Sequence, residues 1–211
     1  MAEGQLTVGS YVLQNCIATG NSTQIWEVSE QGASLQLAMK LLLEESLKNS
    51  QEKNTLKHEF KVGKSLEHPG FVRFHQIEVN RDHGYFTMDF ARFPSLKAHL
   101  SGGLPALQSN FGKMSEELCR ALNFMHEQGW LHCDIKPENI MVSKAGEAKI
   151  IDFSLATRVK GALGKMFAGK QVIKGTLRRP QNIGLDTLLV SHPLVVVCDG
   201  PLAPCLPCFI V

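Results

Sequence analysis

Eight residues, His132-Cys133-Asp134-Ile135-Lys136-Pro137-Glu138-Asn139, set the tightest limit on what this chain can be. They lie between a run of helical periodicity and two short apolar runs, Ile140-Met141-Val142 and Ala148-Lys149-Ile150-Ile151. A loop at that point gathers a potential base (Asp134), a cation (Lys136) and a metal-capable amide (Asn139) into one polar segment. Moving a phosphoryl group needs that mixture: an acceptor for a hydroxyl proton, a positive charge for the phosphate and an oxygen ligand for magnesium. Taken alone, the octapeptide also reads as a polar surface turn. The rest of the chain has to decide between the two.

Upstream, Tyr11-Val12-Leu13, Gln24-Ile25-Trp26-Glu27-Val28 and Leu35-Gln36-Leu37-Ala38-Met39-Lys40-Leu41 alternate or are rich in β-formers, and turn-prone Gly20-Asn21-Ser22 and Gln31-Gly32 separate them. Leu56, Phe60, Gly63 and Leu66 then recur at helical spacing until His68-Pro69-Gly70 ends the helix. Two extended runs, Phe71 to Val79 and Gly84 to Phe90, meet across Asn80-Arg81-Asp82-His83. Phe111, Met114, Leu118, Leu122 and Met125 mark a second helix, closed by Gly129 just past its end. The pattern predicts an antiparallel sheet with one helix, then a mainly helical part carrying polar loops: two lobes with a cleft between them.

Composition narrows the class. The 211 residues are 44% hydrophobic, enough for one sizeable domain or two small lobes. A net charge of +2, from 22 basic and 20 acidic residues, gives no electrostatic case for nucleic acid or an anionic membrane. The six cysteines are scattered through most of the chain and no secretory signal is evident, so reduced thiols and a cytoplasmic location are expected. The longest apolar run, around Leu188 to Val197, is broken by His192 and Pro193.

From Pro180 to Val211 the character changes: there is no Lys, Arg or Glu, and five of the nine prolines and three of the six cysteines lie here. Cys205-Leu206-Pro207-Cys208, with Cys198 and His192, has no spacing that matches a zinc ribbon or finger. The terminal Cys208-Phe209-Ile210-Val211 has the shape of a prenylation box, but its last residue is atypical and no polybasic stretch precedes it. Both read as coincidence.

The octapeptide departs from the eukaryotic-type protein kinase catalytic loop, H-R-D-x-K-x-x-N, only at Cys133, and Lys136-Pro137-Glu138-Asn139 is its serine/threonine flavour. Leu37-Ala38-Met39-Lys40 resembles the V-A-I-K strand, with Glu59 on the following helix as the expected partner of Lys40. An isolated pair of this kind would read as a snorkelling lysine and a solvated glutamate. Asp152-Phe153-Ser154 stands where kinases carry D-F-G; the plainer alternative is a turn aspartate capping its own backbone. Met88-Asp89-Phe90-Ala91 resembles the hinge that receives adenine.

These elements occur in the family's order, and the chain is similar to eukaryotic-type serine/threonine protein kinases over roughly residues 10 to 176. The resemblance implies an α+β, two-lobe kinase-like fold: an antiparallel sheet with one helix, then a mainly helical lobe that is incomplete. Residues 1–10 would be an extension, 11–179 the kinase-like domain (first lobe about 11–88, hinge about 89–92, partial second lobe about 93–179) and 180–211 a separate tail. It implies ATP and Mg2+ as cofactors and a protein with a serine or threonine acceptor as substrate. By the same resemblance Lys40 reaches the phosphates, Glu59 holds Lys40, Asp134 is the base, Lys136 lies near the γ-phosphate, and Asn139 and Asp152 bind magnesium. Ala18, Gly20, Ile25, Ala38, Met88, Asp89, Ala91 and Met141 would line the nucleotide, and Gly175-Thr176 would line the substrate site.

Four departures leave two functional classes open, an active kinase and a non-catalytic kinase-shaped module. The phosphate loop, Ala18-Thr19-Gly20-Asn21-Ser22-Thr23, keeps only the middle glycine of G-x-G-x-x-G, which stiffens it and predicts weakened nucleotide binding. Ser154 replaces the glycine of D-F-G, and neutral Cys133 replaces an arginine that in many kinases binds a phosphorylated activation loop. After Gly175-Thr176 the chain has Leu177-Arg178-Arg179-Pro180-Gln181 in place of the tyrosine and Pro-Glu of the family, the pattern expected of a chain cut short or read out of frame.

Overall fold

The computed structural model describes residues 6–32, 35–102 and 109–159. The predicted motifs Gly175-Thr176 and Leu177 to Gln181, and the whole of the 180–211 segment, lie outside them. The described chain forms two compact units, with residues 68–70 grouped in the second and the boundary after Arg92.

In the first unit the alternating runs pair into one six-stranded antiparallel sheet, β1 (Thr7–Val8), β2 (Tyr11–Thr19), β3 (Thr23–Glu30), β4 (Gln36–Leu42), β5 (Phe74–Val79) and β6 (Gly84–Asp89). Their order across the sheet is β1-β2-β3-β4-β6-β5. Pairing puts Tyr11, Leu13, Val28, Leu37, Met39 and Tyr85 into one buried cluster. Asn80 turns β5 into β6 by accepting the backbone N–H groups of Asp82 and His83, both at 2.8 Å.

Helix α1 (Ser50–Lys64) starts where the Asn49 side chain accepts the Gln51 N–H at 2.9 Å. Its stripe packs on the opposite face of the sheet from the Tyr11 cluster: the ring of Phe60 lies 6.1 Å from those of Phe74 and Phe86. Gly63 is required here, because a Cβ at that position would be driven into the Phe74 ring. Apolar burial at about 25 cal/mol per Å² holds the helix there.

The second unit contains α2 (Leu96–Ser101), α3 (Phe111–Glu127), β7 (Trp130–Leu131), β8 (Ile140–Val142), β9 (Ala148–Ile150) and β10 (Thr157–Arg158). Helix α3 buries Met114, Cys119, Ala121, Leu122 and Met125, close to the periodicity read from the sequence. Gly129 follows it at φ +74°, where a side chain would be strained. Strands β8 and β9 pair as a hairpin. It is fixed to α3 by the apolar cluster of Met114, Ile140, Val142 and Ala148, and by the Glu117 carboxylate accepting the Ala148 N–H at 2.8 Å. The helix-ending His68-Pro69-Gly70 also belongs to this unit: Gly70 O accepts the Ile150 N–H at 2.8 Å, and the His68 ring stacks on Phe124.

The extended run predicted from Phe71 enters the ladder only at Phe74, and a register shift follows before Ile77. Helix α2 and the two-residue strands β1, β7 and β10 carry no period long enough to read. Among the described residues, no helix is long and apolar enough to cross a membrane.

Candidate functional site

In the first unit, Lys40 sits on β4 and Glu59 on α1, and Lys40 Nζ donates to Glu59 Oε2 at 2.6 Å. Their side chains are 13% and 4% exposed, so this is a desolvated pair rather than the surface pair that an isolated reading favours. Directly opposed residues in an antiparallel sheet project to the same face. The register therefore sets Ala18, Ile25, Lys40 and Phe86 in one row across β2, β3, β4 and β6. A second row on that face holds Asn15, Glu27, Ala38 and Met88. Five residues predicted to meet a nucleotide (Ala18, Ile25, Ala38, Lys40 and Met88) are thus brought to one face.

The predicted phosphate loop is a closed turn: Gly20 N–H donates to Thr23 O at 2.8 Å, and Leu43 N–H to Ser22 O at 2.9 Å. Asp89 ends β6, where its N–H donates to Arg73 O at 2.8 Å and its carboxylate pairs with His75 Nε2 at 2.7 Å. Ala91 follows in the segment leaving β6. Three side chains near these form a network that no motif in the sequence singles out: Arg92 pairs with Glu27 at 3.6 Å, and Asn15 Nδ2 donates to Glu27 Oε2 at 2.8 Å. Alternation along β3 would have put Glu27 on the face of Ile25, but nothing local announces Arg92 as its partner.

In the second unit, the octapeptide folds around Asp134. Oδ2 of Asp134 accepts from Lys136 Nζ at 2.6 Å and from Asn139 Nδ2 at 3.0 Å, and Asn139 Nδ2 also reaches Asp134 O at 3.0 Å. Asn139 is buried. Since its amide nitrogen is aimed at Asp134, its carbonyl oxygen is turned the other way. The hydrogen bond that Lys136 donates to Asp134 holds Lys136 above its ordinary pKa against the opposing effect of burial, and the surrounding carboxylates add to it. Lys136 is a firm cation.

The loop is tied to the segment carrying Asp152. Ile151 N–H donates to Asn139 O at 3.0 Å, His132 Nε2 lies 3.2 Å from Ile151 O, and buried Phe153 meets the His132 ring edge-on. Burial lowers the His132 pKa, opposed by its bond to Ile151 and by the Asp152 and Asp134 carboxylates. A neutral, wedged imidazole is a structural part of the loop. Asp152 itself stands at φ +66°, and its Oδ1 accepts the Ser154 N–H at 3.2 Å. Met141, on β8, pairs with Lys149 and bridges to Ser95.

The available donors are hard oxygens, the Asn139 carbonyl and the Asp152 carboxylate, which suit Mg2+ rather than a softer metal. Among the described residues there is no group of three or more His, Cys, Asp or Glu that could hold a metal by itself. A Mg2+ ion here would need oxygens from a phosphate ligand and water, the usual way this ion is held.

The family model of the protein kinase domain matches residues 11–177. Similar proteins include CBL-interacting protein kinase 30 of Oryza sativa subsp. japonica, 25% identical over 187 residues covering 89% of this chain and 38% of that protein. Serine/threonine-protein kinase PknA of Mycobacterium tuberculosis is 30% identical over 159 residues, covering 73% of this chain and 37% of that protein. Sperm motility kinase 2B of Mus musculus is 28% identical over 160 residues, 75% of this chain and 32% of that protein. The chain thus spans between about a third and two-fifths of the length of these relatives. With Lys40 paired to Glu59, Asp134 bound by Lys136 and Asn139, and the family model matching most of the sequence, the chain belongs to the protein kinase family.

Proposed function

We propose that this chain binds ATP and transfers its γ-phosphoryl group to a serine or threonine hydroxyl of a protein. The observation that carries the reading is the Asp134 carboxylate, held through one oxygen by both Lys136 and Asn139. A carboxylate so oriented accepts the hydroxyl proton as the hydroxyl oxygen bonds to the γ-phosphorus. The bond from that phosphorus to the β–γ bridging oxygen breaks, and ADP leaves. Lys136 sits beside the base as a fixed positive charge for the transferring group. Lys40, oriented by Glu59, supplies a second cation for the α- and β-phosphates. Asn139 and Asp152 would hold Mg2+, whose contribution is to offset negative charge on the phosphates. Ala18, Gly20, Ile25, Ala38, Met88, Asp89, Ala91 and Met141 would surround the nucleotide, as the family resemblance implies.

A second reading is a kinase-shaped module that binds nucleotide or protein without transferring phosphate. The closed turn at Gly20, with Ala18 and Thr23 in the places of two glycines, and the Asp152 carboxylate engaged with Ser154 favour it. Thermal unfolding of the chain with and without Mg-ATP, beside Asp152→Asn, separates the cases. Ligand bound only by the native state raises the melting temperature by an amount set by its concentration over Kd. A shift that shrinks in Asp152→Asn supports the nucleotide site. A following phosphotransfer assay in which Asp134→Ala loses about 10²–10⁴ in turnover supports the enzyme. Binding without transfer leaves the second reading standing, and a melt that nucleotide does not move overturns the first.

A further inference from the structure

The side chain of Glu27 is the one carboxylate in the two rows of residues that share a face with Lys40. It lies between Asn15 and Ala38 in the row that ends at Met88, and it is 13% exposed. Both of its oxygens are engaged: Oε2 by the Asn15 amide at 2.8 Å and Oε1 by the Arg92 guanidinium at 3.6 Å. Arg92 is also seated over the Phe90 ring, 5.4 Å from its centroid. Glu27 therefore joins two segments that the sheet's own hydrogen bonds do not connect. One is the β2–β3 hairpin with its turn at Gly20. The other is the stretch Phe90-Ala91-Arg92 beyond the end of β6.

We infer that Glu27 and Arg92 are positioning residues that set the separation of the β2–β3 turn from the segment after β6, and so govern nucleotides that must touch both. The inference rests on the nucleotide-binding reading above. A ligand with a purine ring and a phosphate chain spans from Met88 and Ala91 to the Gly20 turn and Lys40. A nucleoside without phosphates uses only the first end. Loss of the clasp lets the hairpin move relative to the stretch carrying Ala91. The cost falls on the longer ligand, because only that ligand needs both ends in register. The closed turn at Gly20 makes the effect larger, since a stiff loop cannot adjust within itself to follow a displaced partner.

The test is Kd for Mg-ATP and for adenosine, measured on the whole chain as wild type, Glu27→Gln, Arg92→Gln and the reversed pair Glu27→Lys/Arg92→Glu. Each single variant is expected to weaken Mg-ATP about two- to fivefold, the range open to an ion pair with one exposed partner. Adenosine binding stays at the wild-type value, and the reversed pair recovers Mg-ATP binding. At about 1 M salt, where the screening length falls to about 3 Å, wild type and single variants converge. Equal weakening of both ligands shows a merely structural role and overturns the inference, as does no change in either. A wild type that binds adenosine and Mg-ATP, with unaffected variants, sinks the clasp alone. A wild type that binds neither sinks the nucleotide reading and the clasp with it.

Discussion

Lys40 Nζ and Glu59 Oε2 meet at 2.6 Å across 19 residues of sequence, joining the middle of β4 to α1. Neither side chain is more than 13% exposed, so each charge is held in place of water by the other. Lys40→Met removes this cation from the carboxylate in the drier position and is expected to cost about 3 kcal/mol in urea unfolding. Glu59→Gln costs less, because Lys40 keeps more contact with solvent. The double variant Lys40→Met/Glu59→Leu regains most of the loss. Strictly additive losses in the double variant would show that the two charges are not coupled.

Cys133 occupies the position of an arginine in many members of the family. It stands at φ +64°, and its Sγ lies 3.3 Å from Thr157 Oγ1, where β10 pairs with β7. Arg158, next on β10, lies 4.1 Å over the Trp130 ring and donates to Gln128 O at 2.9 Å. A neutral thiol cannot make a charge-assisted contact to a phosphate, and the start of this segment is already tied down without one. If the chain is active, phosphatase treatment is expected to leave turnover unchanged. A large loss on treatment contradicts this.

His126, near the end of α3, has a buried Nε2 with no hydrogen-bond partner. Burial lowers its pKa below the ordinary imidazole value of about 6.5. The sign follows: the folded state resists protonation, so this histidine's contribution is intact above the unfolded pKa and is lost as pH falls below it toward the folded value. His126→Leu is expected to raise the melting temperature relative to wild type, and by more at pH 5.5 than at pH 8. An advantage that does not depend on pH would show that the imidazole does not titrate with unfolding.

Thr87, on β6 and fully buried, has a hydroxyl with no partner. Its register neighbour is Met39 of the apolar cluster. Thr87→Val keeps the shape and deletes the unsatisfied group, which is worth about 1 kcal/mol and about 2–4 °C in melting temperature for a chain of this size. A lower melting temperature would mean that the hydroxyl has a partner in solution, such as a bound water.

Much of the site was legible because its parts are local. Asp134, Lys136 and Asn139 fall within one loop, so their residue types and spacing already suggest which side chains meet there. Alternation along β4 sets Ala38 and Lys40 on one face of that strand, but only the register with β3 adds Ile25 to it. The helical stripe of Leu56, Phe60 and Gly63 announced a helix, and the stripe from Met114 to Met125 another. The same reasoning was blind to α2, β1, β7 and β10, whose two to six residues are too short to display a period. It also gave no hint of the positive φ at Cys133 and Asp152, since neither residue type demands it.

The sequence by itself determined the family, the order of the longer elements and the loop that gathers Asp134, Lys136 and Asn139, because those depend on residues adjacent in the chain. The tertiary structure decided which charges meet: it realises the pairing that the family resemblance implied for Lys40 and adds one that nothing in the sequence announced. Lys40 finds Glu59 because α1 packs its Phe60 stripe on the sheet. Glu27 finds Arg92 because β4 and β6 pair side by side, which brings the end of β6 to the face that β3 shares. A strand's partner and register are set by burial summed over a whole sheet face, and no short stretch of sequence carries that sum.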